Sequence, residues 1–440
     1  MKEKSLMIVI PERKEDINPQ LILKRLADSQ KIKAEIVNEV GTKPSDLSPG
    51  DNETIFGTQK EEKAYLILTV EIESRKYTVN VDYVNVDIPD FFVSTHCFSD
   101  LDFEKINEMD TGLSIEIEYT DEYLASYHDQ LKLIECFVPD KLAVMDIPSE
   151  KMLSGKWVSL AADSNVPPSP KYLFSVQAIS GEEDDDEIWL HSHGLKRCGL
   201  PDLEILGSSR DMYSTHYSII ETVAVRMIEN EEAPNLYEPI FLAWLTDEAA
   251  LVATLVTWET GLKYYPDVKL GTEEDRDEYH SEGTTVIMVY PGPDDADEEK
   301  PDKVQIFDEY LLDNPMFMIS SSETARMRNM ACERIEYMKK AFEMHEEDNH
   351  ILLKIGLHVD KEFLDPEEPP ENQREHIWFE LMDIKNTGVE DRFVCKLTQE
   401  PYYVKSMKTG SIGEYDISDI TDWIIITKER HYSPDDAYMM

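Results

Sequence analysis

The chain has 440 residues, of which 41% are hydrophobic, and a formal net charge of -48. Its length predicts about two to four domains, and its apolar content is sufficient for their cores. The acidic excess excludes direct binding to nucleic acid, whose phosphates need Lys and Arg, and disfavours an anionic membrane surface. It favours solubility and attraction to a basic protein partner.

The cysteines and the apolar runs indicate the compartment. Five cysteines are scattered along the chain, so they predict no disulfide framework and fit a reducing interior. No apolar run approaches the roughly 18 residues that a transmembrane helix needs, and Leu6–Ile10 is too short for the core of a signal peptide. We therefore expect a cytoplasmic protein.

The N-terminal region reads as strand, helix and paired strands. Asn18 followed by Pro19 is typical of a helix start, because Asn caps and Pro fits the first helical position. Apolar residues alternate with polar ones in the last predicted strand. The predicted elements are a strand at Leu6–Ile10, a loop at Gly41–Gly57, and strands at Ala64–Glu73 and Tyr77–Val86. They predict a small α+β domain over residues 1–115.

The central region alternates between helical and strand patterns. The acidic run Glu182–Glu187 indicates a solvated turn. Helices are predicted at Thr120–Phe137, Ser149–Ala162, Ser214–Glu229 and Thr246–Thr260. Strands are predicted at Leu142–Ile147, Tyr172–Ile179, Ile188–Leu190 and Thr284–Tyr290. Together these elements predict a second domain of α/β type over residues 116–292.

The C-terminal region predicts one long helix followed by strands. Ser320 to Glu323 is typical of a capping box, and apolar residues recur at helical spacing from Met327 to Phe342. The predicted strands are Ile377–Ile384, Arg392–Thr398 and Trp423–Thr427. We expect a third domain over residues 302–440, with a helix before a small β-rich part. The overall prediction is a multi-domain α+β protein with mixed or antiparallel sheets.

One segment concentrates reactive side chains. The segment runs from Trp189 to Glu204. Its candidate functional residues are His191, His193, Arg197, Cys198 and Glu204. In a strand, two histidines at i and i+2 lie on the same face, which suits two imidazoles on one metal ion. Cys198 or Glu204 would then be the third ligand. A strong zinc signature has two matched ligand pairs, and this segment has one.

The same segment has two further interpretations. Cys198 beside Arg197 could be a nucleophile with His193 as its base and Asp202 or Glu204 as the orienting group. The favoured interpretation is structural. In this interpretation, Gly194, Gly199 and Pro201 shape a tight strand-to-helix crossover, and Cys198 is a small buried apolar residue. Backbone groups form hydrogen bonds with the nitrogens of the two histidines. Glu204 forms an ion pair with Arg197.

Other enzyme signatures are missing from the sequence. It contains no phosphate-binding GxxxxGK[ST] loop, no GxGxxG after a strand, no HExxH and no GxSxG. We therefore predict no cofactor and favour a protein that is not an enzyme.

Two parts of the chain resemble known bacterial families. The segments Leu142–Asp146, Ser154–Trp157, Val166–Leu173 and His191–Leu195 together resemble the bacterial domain of unknown function 4026, over about the first two-thirds of the chain. From about residue 320, Glu375–Trp378, Lys408–Gly410 and Ile420–Trp423 resemble the domain of unknown function 2314. The resemblance implies a bacterial origin and this domain order, and it carries no established activity.

The expected function follows from charge and from the missing signatures. We expect an uncharacterised, non-enzymatic binding or accessory protein, in a specific version an immunity-type protein whose acidic face blocks a basic partner. The alternative is a metal-dependent hydrolase that uses His191, His193 and Cys198 or Glu204, with a metal-activated water.

Overall fold

The computed structural model describes residues 2–39, 66–95, 98–181, 186–246, 250–313, 321–344, 349–366, 369, 373–386, 388 and 391–440. The predicted loop Gly41–Gly57, most of the acidic run Glu182–Glu187 and the predicted cap Ser320 lie outside these residues. The chain divides into two compact units. The first comprises Met1–Ala162 and Pro168–Met318, and the second comprises Asp163–Pro167 and Ile319–Met440.

The N-terminal sheet of the first unit has seven antiparallel strands in the order β2-β3-β4-β5-β1-β6-β7. The strands are β1 Ser5–Pro11, β2 Ile32–Glu39, β3 Leu66–Ile72, β4 Arg75–Asn85, β5 Thr111–Ile117, β6 Lys141–Asp146 and β7 Lys151–Ser154. The predicted alternation in β4 is confirmed, since Tyr77, Val79, Val81 and Tyr83 are all buried.

A second sheet of the first unit has the order β11-β12-β13-β10-β9-β8. Its strands are β8 Ser175–Ser180, β9 Glu187–His193, β10 Asp202–Ser209, β11 Ile240–Trp244, β12 Ala250–Thr257 and β13 Thr284–Tyr290. The pair β10–β13 is parallel and the other pairs are antiparallel. This mixed sheet carries the candidate site on β9.

Helices pack around both sheets of the first unit. They are α1 Pro19–Asp28, α2 Asp90–Thr95, α3 Phe103–Asn107, α4 Tyr123–Phe137, α5 Gly155–Asp163, α6 Tyr213–Glu229, α7 Trp258–Tyr264, α8 Glu278–Ser281, α9 Pro293–Asp297 and α10 Asp308–Asp313. As predicted, Asn18 caps α1, its side chain accepting a hydrogen bond from the Gln20 amide, and Pro19 is the first helical residue.

Two helix predictions in this unit are wrong. In place of one helix over Thr246–Thr260, the chain forms strand β12 and then α7, because Ala250–Val256 is a wholly buried and, apart from Thr254, apolar run in a sheet interior. Such runs have no strand periodicity, so a buried strand and a buried helix look alike in sequence. In place of a helix over Ser149–Ala162, β7 precedes a shorter α5.

The crossover at the candidate site is also different from the prediction. The chain leaves β9, makes a 3-10 turn at Leu195–Cys198 and enters the antiparallel strand β10, so it joins strand to strand and not strand to helix. Gly194 and Gly199 at its two ends have φ of 111° and 72°, in the left-handed region that glycine adopts without strain.

The second unit combines two helices with an antiparallel sheet. The helices are α11 Ser321–Glu333 and α12 Ile335–Glu343, so the predicted single helix is divided at Arg334. The strands are β14 His350–His358, β15 Arg374–Asn386, β16 Asp391–Leu397, β17 Ile412–Tyr415, β18 Ile420–Ile426 and β19 His431–Tyr432, in the order β17-β16-β15-β14-β18-β19. Trp423 is fully buried, and its indole N–H donates to the Ala331 carbonyl at 3.1 Å.

The predicted fold class is confirmed: the protein is a multi-domain α+β protein with antiparallel and mixed sheets. The three-domain division stays a prediction, and its first boundary, residue 115, falls inside β5. Within the described ranges, the helices are all too short or too polar to cross a membrane.

Candidate functional site

Strand β9 places two histidines side by side on one face of the mixed sheet. His191 and His193 are 3% and 2% exposed, and their ring centroids lie 4.8 Å apart. Trp189, two residues earlier on the same face, packs against His191 with the ring centroids 4.5 Å apart. The neighbouring strands place Gln177 and Glu204 opposite His191. The predicted geometry of the histidine pair is therefore present.

A third histidine joins this pair from a distant part of the chain. His280 lies in the short helix α8, and its ring centroid is 4.9 Å from that of His191 and 5.3 Å from that of His193. One ligand nitrogen from each of the three rings lies within 4.8 Å of the others. We call His191, His193 and His280 the histidine cluster.

Asp277 fixes the ring of His280. Its carboxylate accepts hydrogen bonds from the His280 amide at 2.9 Å and from His280 Nδ1 at 2.7 Å. Because Nδ1 donates to the carboxylate in this bond, Nε2 is the nitrogen of this ring that is left to bind a metal ion. A carboxylate that orients a histidine through its second nitrogen is a frequent arrangement around protein-bound metal ions.

Four ring nitrogens of the cluster have no hydrogen-bond partner in the described part of the chain. They are buried, and they are His191 Nδ1, His193 Nδ1, His193 Nε2 and His280 Nε2. The prediction that backbone groups satisfy His191 and His193 is therefore wrong for these atoms. Burial lowers the pKa of His191 to about 3 and that of His193 well below its usual value. Both rings are thus neutral at neutral pH, which is the state that binds metal ions.

A buried arginine anchors the segment that carries His280. Arg276 forms two bonds with the Glu204 carboxylate, at 2.6 and 2.8 Å, and both side chains are almost fully buried. The guanidinium also donates to the carbonyls of Gly271 and His280. The indole N–H of Trp189 donates to Glu204 at 3.1 Å. Glu204 thus joins β9, β10 and the His280 segment.

Glu150 and Tyr279 are further neighbours of His193. Glu150 Oε1 lies 3.8 Å from His193 Nδ1, and burial raises the pKa of this carboxyl. The Tyr279 ring stacks on His193 with the centroids 5.2 Å apart, and Lys196 Nζ lies 3.8 Å from the centre of the Tyr279 ring. Polar and aromatic groups from several elements therefore converge on the cluster.

The other candidate residues lie in different surroundings. Arg197 is fully buried and pairs with Asp146 at 2.7 and 2.9 Å, which corrects the predicted pair with Glu204. Cys198 is buried, and burial raises its pKa to about 12, so it is a neutral thiol at neutral pH. Its sulfur is not among the described atoms that converge with the histidines. The functional roles of these residues stay predictions.

Sequence reasoning missed His280, Asp277, Arg276 and Glu150. The one local signal was Asp277 three residues before His280, the spacing at which a helix-capping carboxylate also reaches a ring nitrogen. Nothing in the sequence connects that spacing to His191 and His193, because the three rings meet through the fold alone.

Comparison with known protein families gives three matches. Residues 5–168 match the model described as "Protein of unknown function (DUF4026) N-terminal", and residues 176–288 match its C-terminal counterpart. Residues 325–434 match "Uncharacterized protein conserved in bacteria (DUF2314)". No curated protein and no solved structure matches the chain. The architecture inferred from the short motifs is thus confirmed, and the chain belongs to the DUF4026 family, with a DUF2314 region after the DUF4026 parts.

Proposed function

We propose that this protein binds a divalent transition-metal ion through His191, His193 and His280. The observation that carries the proposal is the set of buried cluster nitrogens without hydrogen bonds. An unsatisfied buried polar atom costs about 1–3 kcal/mol, and a metal ion would satisfy several of these lone pairs at once. The Asp277 carboxylate supports the proposal, because it orients the His280 ring from outside the cluster.

The ligand set indicates the class of metal. Imidazole suits Zn, Cu, Fe and Ni, whereas Mg and Ca prefer oxygen ligands. Two nitrogens bound to one tetrahedral Zn²⁺ at 2.0–2.1 Å are about 3.3 Å apart. One nitrogen from each ring lies within 4.8 Å of the others, so side-chain movements of about 1 Å would bring these three nitrogens to the ion.

The test is direct measurement of metal binding by the full chain. The protein is stripped with chelator and titrated with Zn²⁺ by calorimetry, and metal content is measured on the protein as purified. We expect a stoichiometry of one and, for His193→Gln, an affinity lower by about 100-fold or more. The matched control is His216→Gln, since His216 is also buried but bonds to Ser208 and Asp308 through its two nitrogens. The proposal fails if the unchanged protein binds no Zn²⁺, or if both variants bind it equally well.

Metal-dependent hydrolysis, the alternative from sequence, adds one requirement to this site. A tetrahedral ion with three protein ligands keeps a fourth position, where a water becomes acidic enough to attack a substrate. Hydrolysis therefore depends on whether a water or a further protein group occupies that position.

A basic protein partner is the second candidate function. Its support is the net charge of -48 together with two exposed aromatic residues, Phe241 and Trp244, on strand β11 at one end of the mixed sheet. Opposite charge accelerates encounter, and an accessory or immunity-type role would use it. A pull-down at low salt should recover a basic protein that high salt releases and that binds Trp244→Ala less well. Recovery of no salt-sensitive partner would refute this candidate.

A further inference from the structure

Two of the cluster histidines lie on a strand inside the sheet, and the third lies on a connecting segment. Strand β9 pairs with β8 on one side and with β10 on the other, so the backbone is fixed at His191 and His193. His280 lies between α7 and β13, in residues 271–283, which we call the strap. A movement of the strap therefore brings His280 to the other two rings or takes it away from them.

The backbone of the strap is weakly attached to the rest of the protein. In the described part of the chain, the backbone–backbone hydrogen bonds of residues 272–282 run within the segment itself. At its two ends, Gly271 and Gly283 have φ of 75° and 67°, in the left-handed region where glycine bends the chain without strain. A segment without backbone bonds to its surroundings is among the parts of a protein that open at low free energy.

Side chains hold the strap in its closed position. Arg276 pairs with Glu204 of β10, and its guanidinium lies 4.7 Å from the centre of the Trp258 ring. The indole N–H of Trp258 donates to the Ser281 carbonyl at 3.1 Å. These contacts favour the closed position, and the strap has to break them when it opens.

The ligand nitrogens are inaccessible while the strap is closed. Nε2 of His280 and both ring nitrogens of His193 are buried. An ion therefore reaches or leaves them through the open state of the strap. Once bound, the ion holds His280 to β9 and so lowers the population of that open state.

We propose that metal binding regulates the position of the strap. An ion on the histidine cluster holds residues 271–283 against the mixed sheet, and the strap opens more often once the ion is lost. This inference rests on the proposed function, because it needs an ion at the cluster. Opening uncovers the rings of Trp189 and Trp258, because the Arg276 guanidinium lies over both of them in the closed position.

Hydrogen–deuterium exchange of the full chain tests this proposal. The amides of residues 272–282 are followed by mass spectrometry in protein stripped with chelator and in protein with Zn²⁺ at about 100 times its dissociation constant. An ion bound only to the closed state would lower the open population about 100-fold. We expect exchange to slow by at least about 10-fold, since the two histidines of β9 retain some affinity in the open state. Residues 230–239, a largely exposed part of the same unit, are the internal control and should not change.

Two variants distinguish regulation of the strap from metal binding alone. His193→Gln removes a ligand on β9 and leaves the sequence of the strap unchanged, so Zn²⁺ should no longer slow exchange in residues 272–282. Trp258→Phe removes the bond to the Ser281 carbonyl and changes no ligand. We expect it to speed both strap exchange and the release of Zn²⁺ to a competing chelator by the same factor, about 3–10-fold. The matched control is Trp244→Phe, since Trp244 is exposed on β11, and it should change neither rate.

The outcomes separate this inference from the proposed function. If the unchanged protein binds Zn²⁺ but exchange in residues 272–282 stays the same, the strap is not regulated by the ion, and the proposed function stands. If Trp258→Phe speeds strap exchange while Zn²⁺ release stays as in the unchanged protein, the ion does not leave through the strap, and the inference also fails. If the unchanged protein binds no Zn²⁺, the proposed function fails together with this inference. Circular dichroism of each stripped variant checks its fold.

Discussion

Replacing Arg276 with methionine should strongly destabilise the first unit. The substitution removes the cation that faces the fully buried Glu204 carboxylate, together with three bonds to the Gly271 and His280 carbonyls. Breaking a buried ion pair from one side costs about 3–5 kcal/mol, because the remaining charge is left without compensation. We therefore expect the free energy of unfolding to fall by about that amount.

A double variant distinguishes the effect of an unpaired buried charge from the effect of the hydrogen bonds lost around the Arg276–Glu204 pair. In Glu204→Leu with Arg276→Met, no buried charge remains, and the loss added to that of Arg276→Met is the acceptor of the Trp189 indole N–H. An unsatisfied donor costs about 1–3 kcal/mol, so the double variant should be more stable than Arg276→Met alone. Equilibrium urea unfolding of the three proteins, followed by tryptophan fluorescence, measures both differences. A loss below about 1 kcal/mol for Arg276→Met, as for an exposed ion pair, would refute the reasoning. So would a double variant less stable than the single one.

Three further substitutions test other parts of the structure. Gly194→Ala should lower stability by at least about 1–2 kcal/mol, because φ is 111° and the new Cβ would lie 2.5 Å from a carbonyl oxygen; a melting temperature equal to the parent's would contradict this. Burial raises the pKa of Asp202 to about 7. The folded state therefore holds the proton of this carboxyl more tightly than the unfolded state does. The stability that Asp202 contributes at low pH is consequently lost as pH rises from about 4 to 7. Asn at this position cannot titrate, so the free energy of unfolding of Asp202→Asn relative to the parent should increase over that pH range, as measured by urea unfolding. A difference in free energy of unfolding that stays constant with pH would exclude the raised pKa. Trp423→Phe leaves the Ala331 carbonyl without its donor and should cost about 1–3 kcal/mol, measured on the unfolding of the second unit, whereas a neutral effect would argue against that bond.

Local periodicity predicted those elements whose burial is one-sided. Strand β4 shows this well over residues 77–83, where the inward positions are apolar and the outward positions polar. Strand β12 was predicted as a helix because all but the last of its residues are buried, and the alternation that marks a strand is then lost. The break at Arg334 had no clear sign in the sequence, since the apolar spacing continues through it.

Only part of the candidate site was predictable from the sequence. The pair His191 and His193 followed from strand periodicity alone. The partners of Arg197 and Glu204 did not, because each charge pairs with a residue far away in sequence, Asp146 and Arg276 respectively. Nearness in sequence suggested that the two would pair with each other, but they lie in different elements, Arg197 in the 3-10 turn and Glu204 in β10.

Other buried histidines of the same unit show why the cluster is unusual. His128 Nε2 bonds to the Ala161 carbonyl at 2.9 Å, and His216 bonds to Ser208 and Asp308, each at 2.8 Å. These buried imidazoles therefore have hydrogen-bond partners within the fold. In the histidine cluster it places three rings together and leaves both nitrogens of His193 without hydrogen bonds among the described residues. A purely structural role does not explain that cost, because apolar side chains would fill the same volume without it. A metal ion that accepts one electron pair from each ring would remove part of that cost.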